Sequence, residues 1–354
     1  MKQPIRKIIT AIATAIALTT TAACGANVPI EDDGTITLRL AHYMPTSHYL
    51  VENGIDVWMD EVTERTDGKV EFDYYPAGQL VSAEEMLSSI QSGVVHIGAF
   101  VPASVSADLP LTDVLTVPGY DSTNYDQVYD AYWDLLSTTL YDNEWRDAGL
   151  RPTMSMITGA YQVLINGNPR HSARDWSGNT IRSVGGAMDF VVDEMDSAVV
   201  NIPGPEEYEG LQRGTMDSAA NTLESVLPYR FDEVIRSATT NMQLGASLVV
   251  MATGQEAWDQ LPSDVQQAME EANQVAMASA QRATEEQRQK TIETTRDHVD
   301  FYDLTPEELA ALDPALVQAQ ERWVAQRENN GDPGREVLDA WHAALDRAAA
   351  ASEE

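Results

Sequence analysis

The plainest chemistry in this chain sits at the end of a short motif, D-W-S-G-N-T-I-R at 175–182. Ser177, Gly178 and Asn179 form a turn, and Gly178 can take the positive φ that such a turn often needs. A β-prone run follows. In it Ile181 can enter a core, while Arg182, next in a period-2 pattern, points the other way. A guanidinium so placed offers a planar fork of donors that suits a carboxylate. A second segment, E-E-Y-E-G-L-Q-R-G-T-M-D-S-A-A-N at 206–221, reads as a short amphipathic helix, a break at Gly214 and an extended run ending at Asn221.

Other reactive residues are sparse. His42 and His48 are the closest pair of the six histidines, but a zinc site there needs more ligands than the neighbouring sequence offers. Asp32-Asp33-Gly34 reads as a turn, because the remaining positions of a calcium loop are missing. The motifs G-x-x-x-x-G-K-[ST], G-x-S-x-G and H-E-x-x-H are absent from the sequence. With 56 acidic residues, proximity of two carboxylates singles out nothing. The expectation is therefore a chain without enzyme activity, cofactor or bound metal. The formal net charge of −34 argues against nucleic acid or an anionic membrane surface as a partner. An anionic ligand would need a local cation, since salt screens the global field beyond about 8–10 Å. That returns attention to Arg182.

The single cysteine, Cys24, belongs to a leader. Lys2, Arg6 and Lys7 form a positive start, 8–18 is apolar but too short to span a bilayer, and 19–23 is small and polar. Residues 1–23 read as a signal peptide, with Cys24 after Ala22-Ala23 as a lipidation site. This places the protein outside the cytoplasm, anchored by lipid to the outer face of the cell membrane or else periplasmic. With no other cysteine there is no disulfide framework.

Elements follow from periodicity. Strands are expected at 36–41, 70–74 and 94–101, with helices at about 47–65 and near 86–90 between them. This β-α-β-α-β order implies a parallel sheet with right-handed crossovers. In such sheets ligands sit beyond the carboxyl ends of the strands, here 43–48, 76–80 and 101–104. Tyr43, His48 and Ser104 on those loops are candidate binding residues. A helix is expected at 125–140, and strands at 150–157 and 161–166 with Gly159 between them as a hinge. A smaller α/β unit follows: helix 186–196, strand 199–202, helix 205–213 and the run to Asn221. The apolar run 244–251 suits a return to the first unit. From Pro262 to about His298 nothing breaks a helix, roughly 50–55 Å at 1.5 Å per residue. Thr305-Pro306-Glu307-Glu308 is a capping box; Asp313-Pro314 opens another helix and Pro333 a last one.

At 175–182 and 206–221 the chain resembles the solute-binding subunits of tripartite ATP-independent periplasmic (TRAP) transporters, the DctP-type family. Their pattern runs roughly D-L-x-G-x-K-I-R, then E-x-Y-x-A-L-Q-x-G-x-x-D-G-x-E-N. Further pieces occur in family order: L-R-L-A-H, T-D-G-K-V-E-F-D-Y-Y-P-A-G-Q-L at 66–80, I-Q-S-G-V-V-H-I-G at 90–98 and W-D-Q-L-P at 258–262. The resemblance implies an α/β, two-lobed, periplasmic-binding-protein-like fold with one long helix spanning both lobes. After a linker at 24–34, lobe I would hold 35–158 plus 244–285, and lobe II 159–243 plus 286–354. It also implies a small organic acid as ligand, held by Arg182 and Asn221, and delivery to the small and large membrane subunits of a TRAP permease. Where some acid-binding members carry a second arginine this chain has Gln162, taken as a further candidate. Gly204 replaces a bulky residue and Ala220 a glutamate. One fewer cation argues against a dicarboxylate or sialic acid and for a monocarboxylate, a hydroxy or keto acid, or a zwitterion. Rival readings are a solute-binding subunit of an ATP-driven importer, disfavoured by the long helix, a membrane sensor's ligand-binding partner, and an extracytoplasmic hydrolase or lyase.

Overall fold

The computed structural model describes residues 27–352. The leader, Cys24 and the readings placed on them lie outside the described residues. From its start the chain runs β1 (Ile36–His42), α1 (Asp56–Arg65), β2 (Val70–Tyr75), α2 (Met86–Gln91) and β3 (Ile97–Phe100). Both β2 and β3 lie parallel to β1, Leu40 standing opposite Tyr74 on one side and Ile97 on the other. Period-2 burial sets the first half of β1: Ile36, Leu38 and Leu40 are fully buried. Trp58 and Val62 of α1 and Met86, Leu87 and Ile90 of α2 cover the sheet. The helix expected over about 47–65 is found from 49, with a wider turn over Val51–Ile55 that runs straight into α1.

Next come α3 (Tyr125–Leu135), β4 (Leu150–Ile165), α4 (Ala173–Trp176), β5 (Thr180–Ser183), α5 (Ala187–Glu194), β6 (Ala198–Asn201), α6 (Gly204–Arg213), β7 (Ser218–Thr222) and β8 (Ser237–Thr239). The chain ends with β9 (Ala246–Gly254), α7 (Gln255–Asp259), α8 (Ser263–Thr295), β10 (Asp300–Tyr302), α9 (Pro306–Asn330) and α10 (Gly334–Ser352). Strand order is β2-β1-β3-β9-β4-β7-β5-β6, with β8 also against β4 and β10 against β8.

The strand β4 runs through both lobes. The first part of β4, Leu150 to Ala160, pairs antiparallel with β9; the second, Tyr161 to Ile165, pairs antiparallel with β7. Two separate strands are expected here, yet a single strand of 16 residues is found. Gly159 absorbs the change of direction inside it. Its φ is +129°, and the register with β9 slips between Ile157 and Gly159.

The long helix α8 spans 33 residues, roughly 50 Å. Val265, Met269, Ala272 and Ala276 enter the first lobe's core, and the Trp58 indole donates to Asn273 Oδ1 (2.8 Å). Further along, Thr284 donates to the Ile157 carbonyl (2.8 Å), Arg288 donates to the Thr240 carbonyl (3.1 Å), and Ile292 packs on the second lobe's Leu164–Phe231 core.

The tail departs from the expected pattern. α9 continues through Pro314, where a new helix is expected. Proline removes one helical hydrogen bond, but Leu312 and Ala319 on either side are buried in the second lobe and hold the helix together. The C-terminal part of α9 (Trp323, Val324) and α10 (Val337, Leu338, Trp341) pack into the first lobe's core. The stretch 286–354 therefore straddles both lobes rather than lying in the second.

Candidate functional site

A cavity of about 390 Å³ lies between the lobes. The first lobe lines it with the loops after β1 (Tyr43, His48), β2 (Glu84) and β3 (Val101, Ser104). The second lobe contributes Arg182 of β5, Asp189 of α5, Glu207 of α6 and Asn221 of β7. Thr158 and Tyr161 of the connecting β4 form the floor between them.

Arg182 reaches this wall as its strand pattern dictates. Ile181 goes into the second lobe's core while Arg182 lines the cavity at 4% exposure. Its Nε donates to the Ile202 carbonyl (3.0 Å) and Nη1 to the Ala220 carbonyl (3.3 Å). Nη1 also lies 2.8 Å from Glu207 Oε1. The N–H does not aim along that line, so Oε1 has a Coulombic partner and no hydrogen bond. Nη2 has no hydrogen-bond acceptor among the described residues. The sequence reading pictures an open guanidinium fork; in the fold one arm is held by the protein.

Glu207 comes from the first turn of α6 and is fully buried. Burial pushes its carboxyl up to about 7, against the opposing pull of Arg182 and the Asn221 amide. Asn221 Nδ2 donates to Glu207 Oε2 (2.7 Å), and Asn221 Oδ1 accepts from the Thr222 N–H (2.7 Å). Arg182, Glu207 and Asn221 therefore form one connected polar cluster. Asp189 Oδ2 accepts from Asn201 Nδ2 (3.0 Å), while Oδ1 is buried without a hydrogen-bond partner among the described residues.

On the opposite wall, His48 is buried, stacks on Tyr49 and makes a T-shaped contact with Tyr229. Burial, reinforced by His42, lowers its pKa to about 3, so the ring is neutral at pH 7. Its Nδ1 accepts from the Leu50 N–H (3.2 Å), which leaves the ring proton on Nε2. Tyr43 lines the cavity within electrostatic range of both Arg182 and Glu207; burial raises its pKa well above the ordinary phenol value. Ser104 also lines it, but its hydroxyl donates to the Val101 carbonyl (2.7 Å).

Gln162 does not join this group. Its Nε2 donates to the Met242 carbonyl (3.0 Å), and its Oε1 accepts from Thr239 Oγ1 (3.0 Å) and the Met242 N–H (3.1 Å). The amide ties β4 to β8 and the following turn, and the cavity wall at this level is built without it.

Glu207 and Asp189 were missed from the sequence, where acidic residues are too common to stand out. A signal for Glu207 exists. It lies four residues before Leu211, on the same face of a short helix. A carboxylate on the apolar stripe must be buried and paired.

Among the described residues no group of three or more His, Cys, Asp or Glu is placed to hold a metal. No helix among them is long and apolar enough to cross a membrane.

Comparison with known proteins gives a consistent picture. The family described as "Bacterial extracellular solute-binding protein, family 7" matches residues 40–326. A solute-binding protein of Albidiferax ferrireducens is 27% identical over 58% of this chain, a match that spans 60% of that relative's length. The C4-dicarboxylate-binding periplasmic protein DctP of Rhodobacter capsulatus is 23% identical, over 73% of this chain and 78% of its own. Among solved structures, a TRAP solute-binding protein of Rhodoferax ferrireducens with copurified benzoate superposes with a TM-score of 0.81 at 20% identity, covering 90% of this chain and all of that one. A Bordetella pertussis extracytoplasmic solute receptor binding pyroglutamic acid gives 0.76 at 18% identity, covering 86% and 99%. These structural likenesses carry the two-lobed fold.

Proposed function

Since this chain belongs to family 7 of the bacterial extracellular solute-binding proteins, we propose that it captures a small organic acid outside the cytoplasm and delivers it to a TRAP-type membrane permease. The observation that carries this reading is the placement of Arg182. Its guanidinium is buried in the wall of the inter-lobe cavity with Nη2 left for a ligand carboxylate. Asn221 holds the adjoining carboxylate, while Tyr43 and the neutral His48 stand on the facing wall. One similar structure holds copurified benzoate, another is described as binding pyroglutamic acid and a relative as C4-dicarboxylate-binding, and each of these ligands carries a carboxylate.

The work of the site is binding. Lobes joined through β4, β9 and α8 close over the solute by bending near Gly159, which excludes water and strengthens each charge-assisted bond. The closed form docks on the small and large membrane subunits, which do the transport. A lipid on Cys24 keeps the receptor at the outer face of the membrane, and a diacylated cysteine suffices for that.

A thermal-shift screen of organic acids tests the reading. A ligand at 100 times its dissociation constant stabilises by about 2.7 kcal/mol, a readable shift. Absence of any shift or heat of binding across mono-, di-, hydroxy-, keto- and amino acids would overturn it.

A further inference from the structure

We infer that the ligand of this cavity is an amino-acid-type zwitterion, whose carboxylate meets Arg182 and whose ammonium meets Glu207. This rests on the proposed role as an organic-acid receptor and narrows the class of acid.

The charge of the wall favours a zwitterion. Among the described residues the cavity is lined by one permanent cation, Arg182, and by three carboxylates, Glu84, Asp189 and Glu207. Its one histidine is held neutral by burial. That cation is already paired with a protein carboxyl, Glu207 at 2.8 Å. A plain anion bound to Nη2 would enter beside a carboxylate in a site screened from water, where like charges repel strongly. A zwitterion brings its own positive end and removes that cost.

Glu207 cannot step aside. It projects from the first turn of α6, is fully buried, and has Oε2 fixed by Asn221 at 2.7 Å. Withdrawing it from Arg182 would strand both charges in the protein interior. When a carboxylate arrives, Glu207 is still there.

Hydrogen-bonding capacity in the wall is also unmet. Among the described residues Glu207 Oε1 has the Arg182 ion-pair contact but no hydrogen bond, and the buried Asp189 Oδ1 in the same wall has no hydrogen bond either. A carboxylate accepts several hydrogen bonds, and a buried one left with a single bond is costly. An ammonium supplies three N–H donors to acceptors of this kind. The cavity volume of about 390 Å³ suits a molecule of amino-acid size, within the range of small-ligand sites.

The test is isothermal titration calorimetry of the wild-type protein with matched pairs that differ only in the ammonium: leucine and 4-methylpentanoate, phenylalanine and 3-phenylpropanoate, proline and cyclopentanecarboxylate. The expected result is that the amino member of the tightest-binding pair binds at least tenfold more tightly. Glu207→Gln, with its fold checked by circular dichroism, should weaken the amino member at least tenfold and abolish or reverse its preference over the plain acid. The wild-type comparison decides the matter even if that variant does not fold. Equal or tighter binding of the plain acids overturns the inference. In that case Glu207 takes up a proton with the anion, seen as a buffer-dependent heat, and the receptor reading survives. If no carboxylate of any kind binds, both the inference and the receptor reading fall.

Discussion

The carboxylate of Glu224 occupies the space that a side chain at position 159 would need. A Cβ built on Gly159 would lie 2.1 Å from Glu224 Oε2. Glu224 follows β7 in the second lobe, its other oxygen accepts a hydrogen bond from Tyr125 of α3 in the first lobe, and Gly159 is where β4 passes between them. A glycine and a buried acid are thus fitted to each other at the crossing point of the lobes.

Gly159→Ala should therefore destabilise the protein through two additive routes. A φ of +129° is strained for any residue with a Cβ, costing about 1–3 kcal/mol. Displacing the Glu224 carboxylate overpacks a filled site, worth about 1–3 kcal/mol more. Chemical denaturation should show a loss of about 2–6 kcal/mol. An unchanged midpoint and slope would mean that the close fit at the crossing is not a feature of the folded protein.

Glu224 also makes stability depend on pH. Burial pushes its carboxyl up to about 7, outweighing the Tyr125 hydrogen bond that pulls the other way. The ordinary glutamate value in an unfolded chain is about 4.3, so between these values the folded state binds the extra proton. Stability contributed by the neutral form is complete below the unfolded pKa and is lost as pH rises through the folded one. Each such proton contributes a slope of about 1.4 kcal/mol per pH unit inside that window. Glu207 and Glu144, likewise pushed to about 7 by burial, act in the same direction. Urea denaturation from pH 5 to 8 should show falling wild-type stability, and Glu224→Gln should flatten the curve by up to one proton's worth. Parallel curves would place the Glu224 carboxyl near its ordinary value and sink the argument.

Much of this arrangement can be read along the chain, and the reasons it stops are physical. Alternation in 36–41 and the apolar run at 94–101 locate β1 and β3, because a buried strand has no other pattern open to it. The uninterrupted stretch after Pro262 locates α8 to within a few residues. Arg182 is legible because a charged residue in a β-run beside a core isoleucine needs a reason. Gly159 is legible as a break between two strand runs but not as the middle of one strand, since local sequence does not say which strand pairs on each side. Glu207 is invisible as a partner of Arg182 because the two meet only through the β5–α6 connection. The straddling tail has the same cause: α9 and α10 are amphipathic, and periodicity says they pack without saying on which lobe.

The leader yields a prediction independent of the fold. Protein recovered from its native membrane should begin at Cys24 and carry added mass from acyl chains, read by mass spectrometry of the N-terminal peptide. Cys24→Ala should release it into the soluble fraction, since one signal fewer leaves nothing to hold it. A native N-terminus beginning unmodified after Ala26 would remove the anchor while leaving the binding site untouched.

The Arg182–Glu207 pair separates binding from folding. Arg182→Ala removes the donors for a ligand carboxylate. Charge-assisted bonds are worth about 1.5–3 kcal/mol each, and about 1.4 kcal/mol is tenfold in affinity, so binding should weaken by at least tenfold to a hundredfold. The same change strands the fully buried Glu207. Removing one partner of a buried pair costs about 3–5 kcal/mol, unless the carboxyl takes a proton, which its raised pKa favours toward lower pH. The variant should thus be markedly less stable at pH 8 than at pH 5. Adding Glu207→Gln should restore stability at pH 8 without restoring binding, because a neutral amide needs no counter-ion while the ligand still lacks its cation. The four proteins of this double-mutant cycle, measured for stability and affinity at both pH values, give the coupling directly. If the double variant is no more stable than Arg182→Ala at pH 8, the two side chains are not paired in the folded protein. If Arg182→Ala keeps wild-type affinity, the ligand's negative end is held elsewhere.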